Sequence, residues 1–392
     1  MKRKLAYLGA ALLLTPSLST PANAASNSIP CGNGATYTVV LPAGVATDGA
    51  KCSGDLVLDS SVKIIDANAF RSSTLTSVVI PDSVTDIGIA SFHTIPTLKS
   101  VTISTSVKTI GAYAFSNDKA LGSVVLPNNL SSLGQGVFRY SAIKNINIPA
   151  SVKVIPQEAF EDSQLTSITI PKGVTTIGAL AFNSTPLISV SIPNTVTTIE
   201  MGAFGNTSLT TITIPSSMDR IEAGLFSGTP LTSVTLPESI KSIGEEAFAA
   251  TSLQTLKLPN SLQSIEASAF SGIKTLTAIV IPNGVTTFGD GVFMGDVALQ
   301  TVTLPDAIKE FGAYTFNNNY SLKTINYCGS FTGFPVKATC AKKPSPAASA
   351  SPSASSASKS GSASSMIKCT NGTKNVFAMG KNPKCPKGYS PL

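Results

Sequence analysis

Residues 165–182 read Leu165-Thr166-Ser167-Ile168-Thr169-Ile170-Pro171-Lys172-Gly173-Val174-Thr175-Thr176-Ile177-Gly178-Ala179-Leu180-Ala181-Phe182, and this pattern returns along most of the chain. Phe recurs at 70, 92, 115, 138, 160, 182, 204, 226, 248, 270, 293 and 316, in steps of 22 or 23 residues. The surroundings of each Phe repeat with it as L-x-x-V-x-I-P-x-x-V-x-x-I-G-x-x-A-F. A period of this length marks a solenoid, in which one coil buries its apolar side only against its neighbours.

Within the quoted coil, Ser167 to Ile170 alternates polar and apolar, the period of a half-buried strand. Stacking the coils turns these strands into a parallel sheet. Pro171 ends the strand, because it has no N–H for the ladder and holds its predecessor extended. That Pro recurs in ten coils from 81 to 305, with Ser104 the one replacement inside the run. Gly follows the second Ile in seven coils, yet Pro156 occupies the same slot. A site that accepts Pro has negative φ, so the Gly there answers a need for tightness rather than handedness.

The expected fold is therefore a mostly β repeat solenoid of about twelve coils of 22–23 residues, with short turns or 3-10 pieces between strands. Its core is the column of Phe rings, stacked at roughly the strand spacing of about 4.8 Å, which makes a body about 58 Å long.

The motif L-x-x-[VI]-x-[IL]-P-x-x-[VIL]-x-x-[IFL]-G-x-x-[AV]-F resembles the BspA-like branch of bacterial leucine-rich repeats over residues 55–327. The Ile-Pro pair stands where commoner branches carry an Asn ladder. The resemblance implies a right-handed solenoid with a short turn at each Ala-Phe and a role in adhesion or surface interaction. It transfers no ligand and no catalytic residue.

The flanks read differently. Residues 1–24 have the build of a signal peptide: Lys2, Arg3 and Lys4, an apolar run from Leu5 to Leu14, then Ala22-Asn23-Ala24, so cleavage is expected after Ala24 and the protein is secreted or held at the cell surface. The apolar run is too short for a transmembrane helix. Residues 25–54 read as an N-terminal cap, 55–327 as the solenoid, 328–340 as a C-terminal cap, and 341–365 as a disordered linker with eleven Ser, seven Ala and three Pro. Residues 366–392 form a small basic module. All six cysteines lie outside the repeats, and an even number in an exported chain reads as disulfides. Six cysteines allow 15 pairings. Local bridges Cys31 to Cys52, Cys328 to Cys340 and Cys369 to Cys385 are the simplest.

The formal charge of +7 invites a nucleic-acid reading that its distribution removes. Three basic residues belong to positions 1–24 and eight lysines, with no acid, to 341–392. The rest holds 17 basic against 21 acidic residues, a net of −4. The five lysines of 366–392 suit an electrostatic, salt-sensitive contact with anionic wall polymers.

No catalytic constellation emerges. His93 is the single histidine and follows Phe92 in a slot that elsewhere holds Ser116, Arg139, Glu161, Asn183 or Gly205, which reads as a surface slot. Glu161 with Asp162, and Glu245 with Glu246, are expected as neighbours on the outer surface rather than acids facing across a cleft. Zinc needs Cys and His clusters, and none is written here. No cofactor is expected, and the chain reads as a non-enzyme.

Binding is then the task, and the solvent face of the strand sheet is the candidate. Its residues include Ser77, Val79, Ser100, Thr102, Ser123, Val125, Asn145 and Asn147, then Ser167, Thr169, Ser189, Ser191, Thr211, Thr213, Ser233, Thr235, Thr255 and Lys257. These hydroxyls also fit plain β-propensity. The face has no aromatic residue, which argues against a single tight hot spot and against sugar stacking. The expectation is a monomeric array making a weak, extended contact with a protein or a wall or surface polymer, and not with nucleic acid. The alternative is a free secreted structural or ice-binding solenoid, for which only Thr211 with Thr213 and Thr301 with Thr303 supply full Thr pairs.

Overall fold

The computed structural model describes residues 25–308, 311–331 and 333–340, together with 365–370, 375–380, 387 and 390–391. The signal peptide expected at 1–24, nearly all of the linker and Cys385 lie outside these residues. The chain from 25 to 340 is a mostly β parallel solenoid of about thirteen turns.

Most repeats contribute two strands rather than one. The first is the expected alternating strand, such as Ser167–Thr169, with Ile168 buried and its neighbours exposed. The second is a two-residue strand at the second Ile, such as Thr176–Ile177. It builds a second parallel sheet on another side of each coil, with Thr176 paired to Val154 and to Thr198 through their backbones. Two residues are too short to display a period. The second sheet is therefore invisible as an alternation, although its buried Ile is plain.

Between the sheets the Pro turn closes tightly: the Val174 N–H donates to the Pro171 carbonyl at 3.0 Å, and the equivalent bond recurs from Val84 to Ile308. After the second strand the chain turns around Phe. There a third inter-coil ladder forms. The amides of Leu180, Phe182 and Ser184 donate to Met201, Ala203 and Gly205 of the next coil at 2.9–3.0 Å, while Ala181 and Asn183 close turns within their own coil.

That alternation requires a left-handed residue two before and two after every Phe: Leu180 has φ 57° and Ser184 φ 57°, and all twelve coils repeat the pair. Only some are Gly, such as Gly224 and Gly228; Asn68, Ala90, Tyr113, Tyr140 and Ala250 bear the cost of a Cβ there, about 1–2 kcal/mol each. Ala250 is exposed. Ala250→Gly relieves the clash at little packing loss, and a gain of about 0.5–1 kcal/mol in thermal or urea unfolding is expected.

The Gly after the second Ile behaves oppositely. A Cβ on Gly178 would lie 2.5 Å from the Gln157 amide nitrogen, and one on Gly244 would lie 2.7 Å from that of Ala223. None of these glycines has positive φ. Close approach of coils explains them, as the Pro156 slot requires. Gly178→Ala is expected to cost about 1–3 kcal/mol, opposite in sign to Ala250→Gly in the same assay.

The Phe column is the core. Rings from Phe70 to Phe316 stack at 5.2–6.1 Å with interplanar angles of 2–23°. These separations exceed the strand spacing because the rings are offset, the arrangement their quadrupoles prefer. At the N-terminal end the edge of Tyr37 meets Phe70 at 5.5 Å. This ring belongs to the turn that precedes the first Phe coil. The antiparallel strands Ser26–Pro30, Thr36–Val40 and Val45–Thr47 cover the edge of the two-residue sheet, with Val45 paired to Ile64. At the other end Phe311, Phe331, Phe334 and Tyr327 pack mostly tilted or edge to face over Phe316. Bridges Cys31–Cys52 and Cys328–Cys340 tie the two ends. Covered ends are what a one-dimensional stack needs against edge pairing.

In the C-terminal module Ser365–Thr370 pairs antiparallel with Asn375–Gly380 and with Ser390–Pro391. The expected Cys369 to Cys385 bridge falls on a residue outside those described.

Candidate binding face

The alternating strands bring the exposed residues of successive coils into register. Ser167 pairs with Ser189, Thr169 with Ser191, Thr211 with Ser233 and Thr213 with Thr235. These eight residues, and Thr255 and Lys257 beyond them, are all exposed. Two columns result, about 6.6 Å apart along the strands, with steps of about 4.8 Å between coils.

The ladder that carries the columns is interrupted. It divides into Ser53–Val57 to Ser123–Val125, the pair Ser167–Thr169 and Ser189–Ser191, the pair Thr211–Thr213 and Ser233–Thr235, and Ala278–Val280 to Ala338–Thr339. Two coils drop out: Asn145-Ile146-Asn147 and Thr255-Leu256-Lys257 form no strand. No backbone–backbone hydrogen bond involves residues 145–148. Asn and Lys are poor strand formers, and these coils carry Asn at both exposed slots or Lys at one. That composition is the trace the breaks leave in the sequence, and the expected continuous ladder gives way at both.

A hollow lies over each of the two coils that form no strand. One of about 860 Å³ spans Ser123, Val125, Asn128, Asn145, Asn147, Ser167, Thr169, Ser189 and Ser191, with Ile146 and Val190 in its floor. A second, of about 450 Å³, lies over Thr255, Lys257, Asn260 and Val280. Ile146 and Val190 are partly exposed, whereas Ile168, Ile212 and Ile279 in the same slot are buried. Val125 is 79% exposed.

The Phe turns hold a cluster of paired charges and an exposed aromatic ring. Arg139 pairs with Glu158 at 3.0 Å and with Glu161 at 2.7 Å, and its guanidinium lies 4.8 Å from the Tyr140 ring centre. Glu161, expected on the outer surface, is buried instead. The slot after Phe leans onto the adjacent turns, where Ser116 and Gly205 are buried too. Burial, against the pull of Arg139, pushes the Glu161 carboxyl up to about 7. His93, in the same slot, is half-buried and shares a hydrogen bond of 2.6 Å with Thr94 Oγ1. Burial, then the Arg71 charge, lowers its pKa. Among the described residues no carboxylate is a hydrogen-bond partner of His93, so nothing orients the ring as the base of a triad.

Two further carboxyls carry no motif that marks them in the sequence. Asp118 and Asp296 sit three residues after Phe115 and Phe293, fully buried, and each accepts a backbone N–H from the preceding coil: Ile95 at 2.7 Å and Ile273 at 2.8 Å. Most other coils place Ser or Thr in this slot, and Thr185, Thr207, Thr229 and Thr251 donate their hydroxyls to the carbonyl of the Phe three residues earlier. The Oδ2 atoms of both aspartates have no partner. Burial drives Asp118 up to about 8 and Asp296 up to about 9. Among the described residues no group of three or more His, Cys, Asp or Glu is placed to hold a metal ion, and no helix is long and apolar enough to cross a membrane.

The coil geometry agrees with comparisons to known proteins. A family model described as BspA type leucine rich repeat region matches in overlapping stretches at residues 51–165, 153–262 and 219–339. Among solved structures, a leucine rich cell surface protein from Faecalibacterium prausnitzii is 26% identical with a TM-score of 0.51, over 78% of this chain and 95% of that one. The pneumococcal vaccine antigen PcpA shares the fold at 21% identity with a TM-score of 0.55, over 77% of this chain and 87% of its own. A leucine-rich repeat protein from Bacteroides ovatus aligns at 24% identity with a TM-score of 0.45, over 82% of this chain and 76% of that one. No match was found among curated proteins. With its repeats matched from residue 51 to residue 339, the chain belongs to the BspA type leucine rich repeat family.

Proposed function

We propose that the protein is exported and works without catalysis as a surface-interaction module. The alternating-strand face makes an extended contact with a protein or a wall or surface polymer. The observation that carries this reading is the placement of the exposed Ser and Thr columns in register on one side of a long body. The cell-surface naming of the Faecalibacterium neighbour supports the location, as do two disulfides, which persist in oxidising compartments. Weak contacts repeated along the face, and by many copies on a cell, add up through effective concentration. The net negative body gives no footprint for nucleic acid.

On this reading residues 366–392 hold the protein to anionic wall polymers through their lysines. Cell fractionation tests it. Full-length protein is expected in the wall fraction and released by high salt, while protein lacking 341–392 is expected in the medium. Equal release of both forms would make the protein a free secreted binder.

A further inference from the structure

We propose that the solenoid is articulated: three stiff blocks of coils meet at two hinges, and the alternating-strand face opens and closes about the Phe turns. This articulation stands independently of what the face binds. Both sheets are interrupted at the same two junctions. The alternating strands of the first block end at Ser123–Val125 and its two-residue strands at Ser132–Leu133, and neither pairs with the following coil, whose two-residue strand is Val154–Ile155. Ser189–Ser191 and Thr198–Ile199 are likewise unpaired to Thr211–Thr213 and Arg220–Ile221. At every other junction among the described coils at least one of the two sheets pairs across.

The Phe-turn ladder is what both junctions keep. Gly136, Phe138 and Tyr140 donate to Gln157, Ala159 and Glu161 at 2.9 Å, and Gly202, Phe204 and Asn206 donate to Ala223, Leu225 and Ser227 at 2.7–3.2 Å. One further backbone bond, Lys144 to Gly122 at 3.5 Å, crosses the first junction, and none crosses the second. Side-chain bonds from Ser151 to the Leu130 carbonyl and from Ser217 to the Val196 carbonyl tether the Pro turns without making a ladder. At the first junction Arg139 adds its pairs with Glu158 and Glu161, again on the Phe side. At the second, Phe204 and Phe226 stand 6.1 Å apart, the widest step of the column. Each coil is held only by its neighbours, so a junction with one continuous ladder bends about that ladder.

The slot after the second Ile explains both hinges. Where it carries an N–H, that group can donate to the preceding coil, as Gly178 does to Ile155 and Gly244 to Ile221 at 2.8 Å. Pro156 has no N–H to offer Leu133. Glu222 has one, yet it makes no backbone bond to the preceding coil. From Asp66 to Gly312, the step from Glu200 to Glu222 is the one at which neither residue of the successive pair is Gly. A Cβ in this slot presses on the preceding coil, as the contacts at Gly178 and Gly244 define, and two filled slots in succession hold the coils apart.

The test places nitroxide pairs on cysteines introduced into the mature full-length protein, each pair five coils or about 24 Å apart. Val79→Cys with Ser191→Cys spans the first hinge, Thr169→Cys with Val280→Cys spans the second, and Thr213→Cys with Asn326→Cys spans neither. Pulsed dipolar spectroscopy is expected to give distance distributions about twice as broad across either hinge as across the third pair. Pro156→Gly is expected to narrow the first distribution alone and Glu222→Gly the second alone. Both variants install the residue that seven other coils carry in that slot. Hydrogen exchange needs no variant: the Lys153 and Glu222 amides are expected to be at least about tenfold less protected than those of Thr175 and Gly244, which donate to Lys153 and Ile221. Three equally narrow distributions, hinge-spanning distributions that the Gly variants leave unchanged, or equal protection of the four amides would overturn the proposal.

Discussion

Phe182→Ala is expected to destabilise the solenoid by about 3–5 kcal/mol. Phe182 is fully buried and stacks on Phe160 at 5.5 Å and on Phe204 at 5.4 Å. Deleting the ring removes its transfer energy and both stacking contacts, and leaves a cavity that the adjacent coils cannot readily fill, because three inter-coil ladders on the Phe204 side, and the second-strand and Phe-turn ladders on the Phe160 side, fix their spacing. In a one-dimensional fold stability is close to a sum of coil and interface terms. The damage therefore falls on two interfaces in the middle of the stack, and the halves uncouple. Urea unfolding is expected to broaden or to resolve into two steps.

Phe316→Ala, where the ring has one stacked Phe neighbour at 5.9 Å and edge contacts beyond it, is expected to cost less and to preserve a single transition. A loss below about 1 kcal/mol for Phe182→Ala would mean that the column fills space without holding the coils together.

The second large effect depends on pH. Asp118 and Asp296 are pushed up to about 8 and about 9 by burial, far above an unfolded carboxyl. Between about pH 4 and the folded values the native state holds protons that the unfolded state has released, so stability falls as pH rises. The contribution is fully present below pH about 4 and is lost as pH climbs through 8 to 9. Glu161, at about 7, slopes the same way.

For two sites the total is on the order of several kcal/mol. The double variant Asp118→Asn, Asp296→Asn keeps an oxygen for the Ile95 and Ile273 amides but cannot ionise. Its melting temperature relative to wild type is expected to climb steadily from pH 5 to pH 9, the slope due to Glu161 being common to both proteins. Parallel pH profiles for the two proteins would show that neither aspartate titrates inside the stack. Hydrogen exchange at the Ile95 and Ile273 amides supplies a local readout, with protection relative to the intrinsic base-catalysed rate falling above pH 8 in wild type alone.

The fold is legible because its period is written in large apolar residues. Phe at every twenty-second or twenty-third position, Ile-Pro at the strand end and Gly where coils touch each leave a direct trace. Pro156, which demands tightness rather than handedness in its slot, agrees with the backbone contacts at Gly178 and Gly244. What stays hidden shares a physical reason: it belongs to relations between coils. The second sheet consists of strands too short to alternate. The left-handed pair around Phe is filled by residues as different as Leu180, Tyr140 and Ala250, so no Gly signature marks it.

Asp118 reads as a loop acid, and its burial follows only from the unusual Ile95 in the equivalent slot one coil earlier, whose amide it caps. The same pairing recurs at Ile273 and Asp296, again at the first of two successive 23-residue steps. Glu161 is misplaced by the sequence for the same reason, since the Arg139 that draws it inward lies one coil away.

The candidate face follows from alternation alone, and the named residues do occupy one exposed side. Its interruptions at Asn145-Ile146-Asn147 and Thr255-Leu256-Lys257 escape such a reading, because a repeat consensus averages away the coils that depart from it. Those departures give an otherwise uniform hydroxyl surface its shape.

The most direct measurement of the central claim is binding of intact mature protein to wall fragments and host-cell surfaces after new charge is placed on one side at a time. Replacing Ser167, Thr169, Thr211 and Thr213 by Glu charges the alternating-strand face, while replacing Thr175, Thr197 and Gln263 by Glu does so beside the two-residue sheet. Loss of binding is expected for the first set and unchanged binding for the second, with both proteins folded by circular dichroism. Unchanged binding in the first set would contradict an interaction through the alternating-strand face.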